Sequence, residues 1–242
     1  MVHRTTTIAA ALVAVMLMVA CGDDEESSAP ATTVAPTTST TLSQIQLDKQ
    51  KAERVVLTAA DLPGYTADPP EPDDETPEDE AALNACANND PVFAQLGEEN
   101  DPRGAFSPEF SKGELVTVSS GVTFAESEDQ ARAAITAFSA ASFPSCFSRG
   151  FAAVLRRDGT FTNVTVTTTK LPAMTAGDQT VGYRSLARVR AQGTAITFYA
   201  DFILIRSGRA VAGLTLFQAT TPFPEAERLR LATTVAGRMA AP

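Results

Sequence analysis

The chain has 242 residues, 44% of them hydrophobic and 20% charged, with 13 Phe and no Trp. That composition excludes a membrane-embedded or low-complexity protein and suits one domain with a sizeable core. Its 19 basic and 29 acidic side chains leave a net charge of −10, which argues against nucleic acid as a partner, because phosphate contacts need a basic face.

Residues 1–20 read as an export signal: His3 and Arg4 precede an uninterrupted apolar run from Ile8 to Ala20. Such a run is too short to span a bilayer as a helix. The stretch Leu17-Met18-Val19-Ala20-Cys21-Gly22 resembles a bacterial lipobox, with Met18 where leucine usually sits. The resemblance implies cleavage before Cys21, acylation of that cysteine, and a lipid-anchored address on the extracytoplasmic face of the cell membrane. With Cys21 lipidated, Cys86 and Cys146 remain as a pair in an oxidising compartment, and a structural disulfide between them is expected.

Residues 21–45 form the expected tether. Of residues 27–43, 10 of 17 are Ser or Thr and two are Pro, too polar a mixture to bury a core. The domain proper, residues 46–242, opens with a helix through Leu47, Ala52 and Val55. Thr58 and Asp61 then mark a new helix start that Leu62-Pro63-Gly64 ends at once. Residues 68–80 hold eight acids and four prolines, the composition of an exposed loop. The stretch lacks the glycine turn and the ligand spacing of a calcium loop.

A short helix from Glu78 to Asn89 carries Cys86, and Val92, Phe93 and Leu96 continue its apolar side. Gly104 to Phe110 reads as an edge strand interrupted by Pro108, and Leu115 to Phe124 as a strand. Ser127 and Gln130 predict a capping box ahead of a helix over residues 128–141. Pro144 restarts a second helix that ends at Arg156-Arg157-Asp158-Gly159.

The periodicity then changes to two. Thr162 to Lys170, Val181 to Arg190, Ala195 to Ile205 and Ala210 to Phe217 read as strands, the last three joined by turns at Gln192-Gly193 and Ser207-Gly208. A final helix from Glu225 to Met239 places Ala226, Leu229, Ala232, Val235/Ala236 and Met239 on its buried stripe. Grouped strands and helices mean an α+β fold: a twisted, mainly antiparallel sheet of about five strands flanked by helices.

Charge is divided along the chain. Residues 21–143 carry 24 acids and 6 bases, and residues 144–242 carry 5 acids and 12 bases. The plain reading is that the halves pack together and neutralise each other in part.

Leu57-Thr58-Ala59-Ala60-Asp61-Leu62-Pro63-Gly64, the early Cys86, Pro144-Ser145-Cys146 behind a capped helix, and Gly208-Arg209-Ala210-Val211 in the last hairpin carry a resemblance. They are similar to cell-surface lipoproteins of high-GC Gram-positive bacteria, a group related to the extracellular sensor domain of the PknH-type receptor kinase and to the PsbP-like lipoproteins. The resemblance implies a twisted antiparallel sheet backed by helices, with a groove for an unknown ligand. The sensor domain usually carries a second disulfide in its C-terminal half. No cysteine follows Cys146 here, which moves the expectation towards the PsbP-like form.

The chemistry available is narrow. Once His3 leaves with the signal no histidine remains, which removes Ser-His-Asp and Cys-His nucleophilic systems and histidine-ligated zinc. No metal site or cofactor motif is expected. A carboxylate-dependent hydrolase of envelope glycans survives as an alternative, with Asp201 as its kind of candidate acid. Arg184, Arg188 and Arg190 share one parity along their strand, and Tyr199 and Asp201 on the next strand lie opposite them in one of the two register parities. Two readings follow: a solvated outer face with cross-strand ion pairs, or an anion-binding surface for an envelope small molecule, lipid or protein. The function expected is a non-catalytic binding domain, acting as sensor, carrier or accessory subunit.

Overall fold

The computed structural model describes residues 42–69, 77–96, 100–113, 115–157 and 159–241. The signal, Cys21, the tether as far as residue 41 and the centre of the acidic loop, residues 70–76, lie outside the described residues.

Helix α1 (Gln44–Val55) starts two residues before the expected domain boundary, because Ser43 and Gln46 form a reciprocal capping box. A single 3-10 turn, Ala59–Asp61, follows under the predicted Thr58/Asp61 box. Helix α2 (Pro77–Cys86) ends where Asn88 and Asn89 take positive φ, a conformation asparagine tolerates well. This break makes Pro91–Gln95 a separate helix, α3, capped by Asp90 through the amides of Val92 and Phe93.

Helix α4 (Glu128–Phe138) is capped by Ser127, while Gln130 reaches past the cap to accept from the amide of Glu126. It stops short of residue 141, its last turn closed by the Ser139 hydroxyl donating to the Ile135 carbonyl. Helix α5 (Phe143–Val154) has Pro144 in its first turn. Helix α6 (Glu225–Ala240) buries Arg228, Leu231, Ala232, Val235, Ala236 and Met239. Its stripe is therefore rotated from the expected one at its start: Leu229 is 42% exposed, and Arg228 takes an inward position.

Among the described residues the sheet has eight strands, more than the five expected. Five are long: β4 (Val116–Phe124), β5 (Thr162–Lys170), β6 (Gln179–Ala191), β7 (Thr194–Ser207) and β8 (Ala210–Ala219). The other three are two-residue strands, β1 (Thr66–Ala67), β2 (Ala105–Phe106) and β3 (Phe110–Ser111), too short to show a period of two in the sequence. The order is β1-β3-β4-β8-β7-β6-β5, with β2 also on β4 and every pairing antiparallel. The β6–β7 hairpin turns on Gln192 and Gly193, both at positive φ, as a two-residue turn that follows strand twist requires.

Helices cover both faces. On one, α1 and α6 pack over Val118, Val122, Ile203, Ile205, Leu214 and Leu216. The buried Ser120 hydroxyl accepts the Leu57 amide there and pins the end of α1 to the sheet. On the other face, α4 and α5 bring Phe138, Phe143 and Phe147 onto Tyr183 and Phe202. The Cys86–Cys146 disulfide ties α2 to α5 beside this aromatic cluster, spanning 60 residues of chain.

Candidate functional site

Register decides what the arginine strand does. Arg184 lies opposite Asp201, Leu186 opposite Tyr199 and Arg188 opposite Thr197. On the other side Thr169, Thr167 and Thr165 pair with Arg184, Leu186 and Arg188. Paired residues share a face, so Arg184, Arg188, Arg190, Tyr199 and Asp201 all lie on the α6 side of the sheet.

Their environments differ sharply. Asp201 is fully buried. Arg184 Nε donates to Asp201 Oδ1 at 2.6 Å and Arg184 Nη2 to Oδ2 at 2.6 Å, a two-pronged clasp. Arg228 Nη1, from the inward stripe of α6, donates to the same Oδ2 at 2.9 Å. Side-chain exposure falls from 22% at Arg184 to 4% at Arg228 and 0% at Asp201. Arg184 Nη2 also reaches the Phe223 carbonyl, where the chain enters α6. The hydrogen bond to Asp201 holds the Arg184 pKa above its ordinary value, against the opposing effect of burial. A carboxylate clasped by two guanidiniums and closed off from water is a structural clamp between sheet and helix, and no longer a general acid within reach of substrate.

Beyond the start of α6 the same face is open. Arg188, Arg190, Thr165, Thr167 and Thr169 are exposed, and Leu186, Thr197 and Tyr199 are half-buried. Arg190 Nη1 donates to the Gly193 carbonyl at its own hairpin turn, and the Arg188 guanidinium has no partner among the described residues. Leu186 to Arg190 and their partners on β5 and β7 span a patch of about 13 by 10 Å. It offers two cations about 7 Å apart, a phenol and a row of hydroxyls. Strand parity puts the three arginines on one face, and the register adds the other two candidates, Tyr199 and Asp201. The structure separates them into a clamp, Arg184 and Asp201, and an open surface, Arg188, Arg190 and Tyr199.

Sequence reasoning missed Arg228. The signal was present: Arg228 stands three and four residues before Leu231 and Ala232 on an otherwise apolar face, and Asp201 stands in an apolar strand. Two opposite charges at inward positions imply each other.

Two further clamps join the acidic and basic parts of the chain. Asp48 of α1, 3% exposed, accepts from Arg209 Nη2 at 2.7 Å and from Arg103 Nη1 at 3.0 Å. Burial pushes its pKa up, but hydrogen bonds from Arg209, Gln44 and Arg103 outweigh this and hold it below the ordinary value. Asp61 pairs with both terminal nitrogens of Arg238, at 2.9 and 2.7 Å. Its pKa is also lowered: burial is again the largest single influence and acts upward, and Arg238 and Thr58 together overcome it. Among the described residues no group of three or more His, Cys, Asp or Glu side chains could hold a metal ion, and no helix is long and apolar enough to cross a membrane.

No family model and no curated protein matches the chain. Among solved structures, the extracellular domain of PknH from Mycobacterium tuberculosis is similar at 14% identity and a TM-score of 0.46, over 80% of this chain and 97% of that one. The human StarD13 (DLC2) lipid transfer and protein localization domain follows at 10% identity and a TM-score of 0.15, over 56% of this chain and 83% of that one. Both likenesses are too distant to carry an argument about this chain.

Proposed function

We propose that the chain is an extracytoplasmic, lipid-anchored binding domain without turnover, whose ligand or partner is an anionic envelope molecule that meets the open sheet face around Arg188. The observation that supports this best is an exposed guanidinium, Arg188, without a partner among the described residues, on the same open sheet face as Arg190 and Tyr199. Arg190, Tyr199 and the hydroxyls of Thr165 and Thr167 supply a second cation and neutral donors beside it. Arg184 acts here only by holding its strand against α6. A glycan hydrolase working through carboxylates draws less support, since Asp201 is enclosed by Arg184 and Arg228.

Amide chemical-shift mapping tests the site. The isotope-labelled domain is titrated with an anionic fraction of its own envelope. The amides of Thr167, Arg188 and Tyr199 should shift together, and less so as salt rises. Shifts confined to another surface would refute the assignment to this face.

A further inference from the structure

We propose that α5 closes the outer edge of β5 against pairing with a second copy of this chain. Strand β5 ends the sheet, and at nine residues it is the long edge among the described strands, since β1 at the opposite end has two. Its exposed residues are mostly threonines, and its one charge is Lys170 at the end. A long edge of high strand propensity invites a second strand, and the bulge at Asn163 interrupts only its first residues.

The pairing phase shows which backbone groups face outward. Leu171 N–H donates to the Gly182 carbonyl at 2.8 Å, so residues 169, 167 and 165 turn their groups to β6. Residues 164, 166 and 168 turn theirs away from the sheet. Two of these outward groups are taken by side chains of the α5 region. The Thr168 amide donates to Ser148 Oγ at 2.9 Å, and Arg156 Nη2, just past the end of α5, donates to the Val164 carbonyl at 2.5 Å. Ser148 is held in turn by its one hydroxyl hydrogen, which lies between the Pro144 carbonyl at 2.8 Å and Thr168 Oγ1 at 2.9 Å.

A second copy is the occupant this edge fits. Paired antiparallel about Val166, two β5 strands align Val164–Thr168 with Thr168–Val164, on the side of the bulge at Asn163 that leads to Lys170, so the two Lys170 side chains fall at opposite ends. The central rung would join Val166 to its counterpart, and the flanking rungs would join Val164 to Thr168. Each flanking rung needs the Thr168 amide of one copy and the Val164 carbonyl of the other. Those are the two groups already taken, and the Ser148 oxygen and Arg156 nitrogen sit where a neighbouring strand's own atoms would lie. Closure of this edge is independent of the ligand-binding reading.

The test is sedimentation velocity of the purified full chain across a concentration series. Wild type should stay monomeric. The Ser148→Ala/Arg156→Ala variant, with an unchanged circular dichroism spectrum, should shift towards twice the monomer mass. Adding Val166→Pro, which removes the central outward N–H at a position where an edge strand tolerates proline, should return the monomer. A folded double variant that stays monomeric at the highest concentration, or a triple variant that still associates, would overturn the proposal. If the double variant does not fold, amide exchange of wild type decides. The Val166 amide should exchange fast and the Thr168 amide slowly, and equal rates would refute closure by Ser148.

Discussion

Replacing Asp201 with Ala strands two guanidiniums, and the structure says which one matters. Arg184 is 22% exposed and can turn to water, while Arg228 is 4% exposed and its Nε already lacks a partner. Removing one partner of a buried ion pair costs about 3–5 kcal/mol, because the remaining charge stays desolvated and uncompensated. With a urea dependence of about 2 kcal/mol per molar, the unfolding midpoint should fall by roughly 1.5–2.5 M. Against a total stability of about 5–15 kcal/mol, the variant is left marginal. Replacing Asp201 and Arg228 together by Leu and Met should recover most of the loss, since a buried pair exchanged for packed apolar groups is often neutral. Urea titration followed by circular dichroism reads both variants. An Asp201→Ala variant within about 1 kcal/mol of wild type would refute the clamp.

Three further outcomes follow, two from the structure and the third from the proposed lipid anchor. Cys86→Ser or Cys146→Ser should lower stability by about 4 kcal/mol in the chain-entropy account of a 60-residue loop, and non-reducing peptide mapping should find the two cysteines joined. Asp48 and Asp61 have folded pKa values below their unfolded ones, so the stability they contribute is full above the unfolded value near 3.8 and is lost as pH falls through the folded values. Urea midpoints should therefore drop below about pH 4, and less steeply in Asp48→Asn, whose curve should lie lower at neutral pH. Cys21→Ala should move the protein from the membrane fraction to the soluble one, where continued retention would point to the apolar run as an uncleaved anchor.

The long strands and most helices were legible because each carries its own signal. Thr162–Lys170 alternates, Gln192-Gly193 suits a tight hairpin, and Ser127 marks a helix start. The disulfide was legible from compartment and parity of number, once Cys21 was set aside. The strand parity of Arg184, Arg188 and Arg190 placed them on one face, and the observed register put Tyr199 and Asp201 on it too. What stayed hidden was the line on that face where α6 stops. Covering one end of the strand turns Arg184 and Asp201 into a buried clamp, and leaving the other end bare keeps Arg188 free. That line depends on how α6 returns across the sheet after Phe223, a contact between distant segments with no local signature. The inward Arg228 also interrupts the apolar period of α6, and the period alone places Leu229 on the buried stripe, where the structure leaves it 42% exposed.

The central claim is that an anionic envelope molecule binds the open face through Arg188 and Arg190. Native mass spectrometry of the chain recovered from its own envelope tests it directly, comparing wild type with Arg188→Glu/Arg190→Glu. Both substitutions lie on exposed positions and should change stability by no more than a few tenths of a kcal/mol. The account predicts a retained mass on wild type that the folded double variant lacks. A folded double variant that carries the same mass would contradict it.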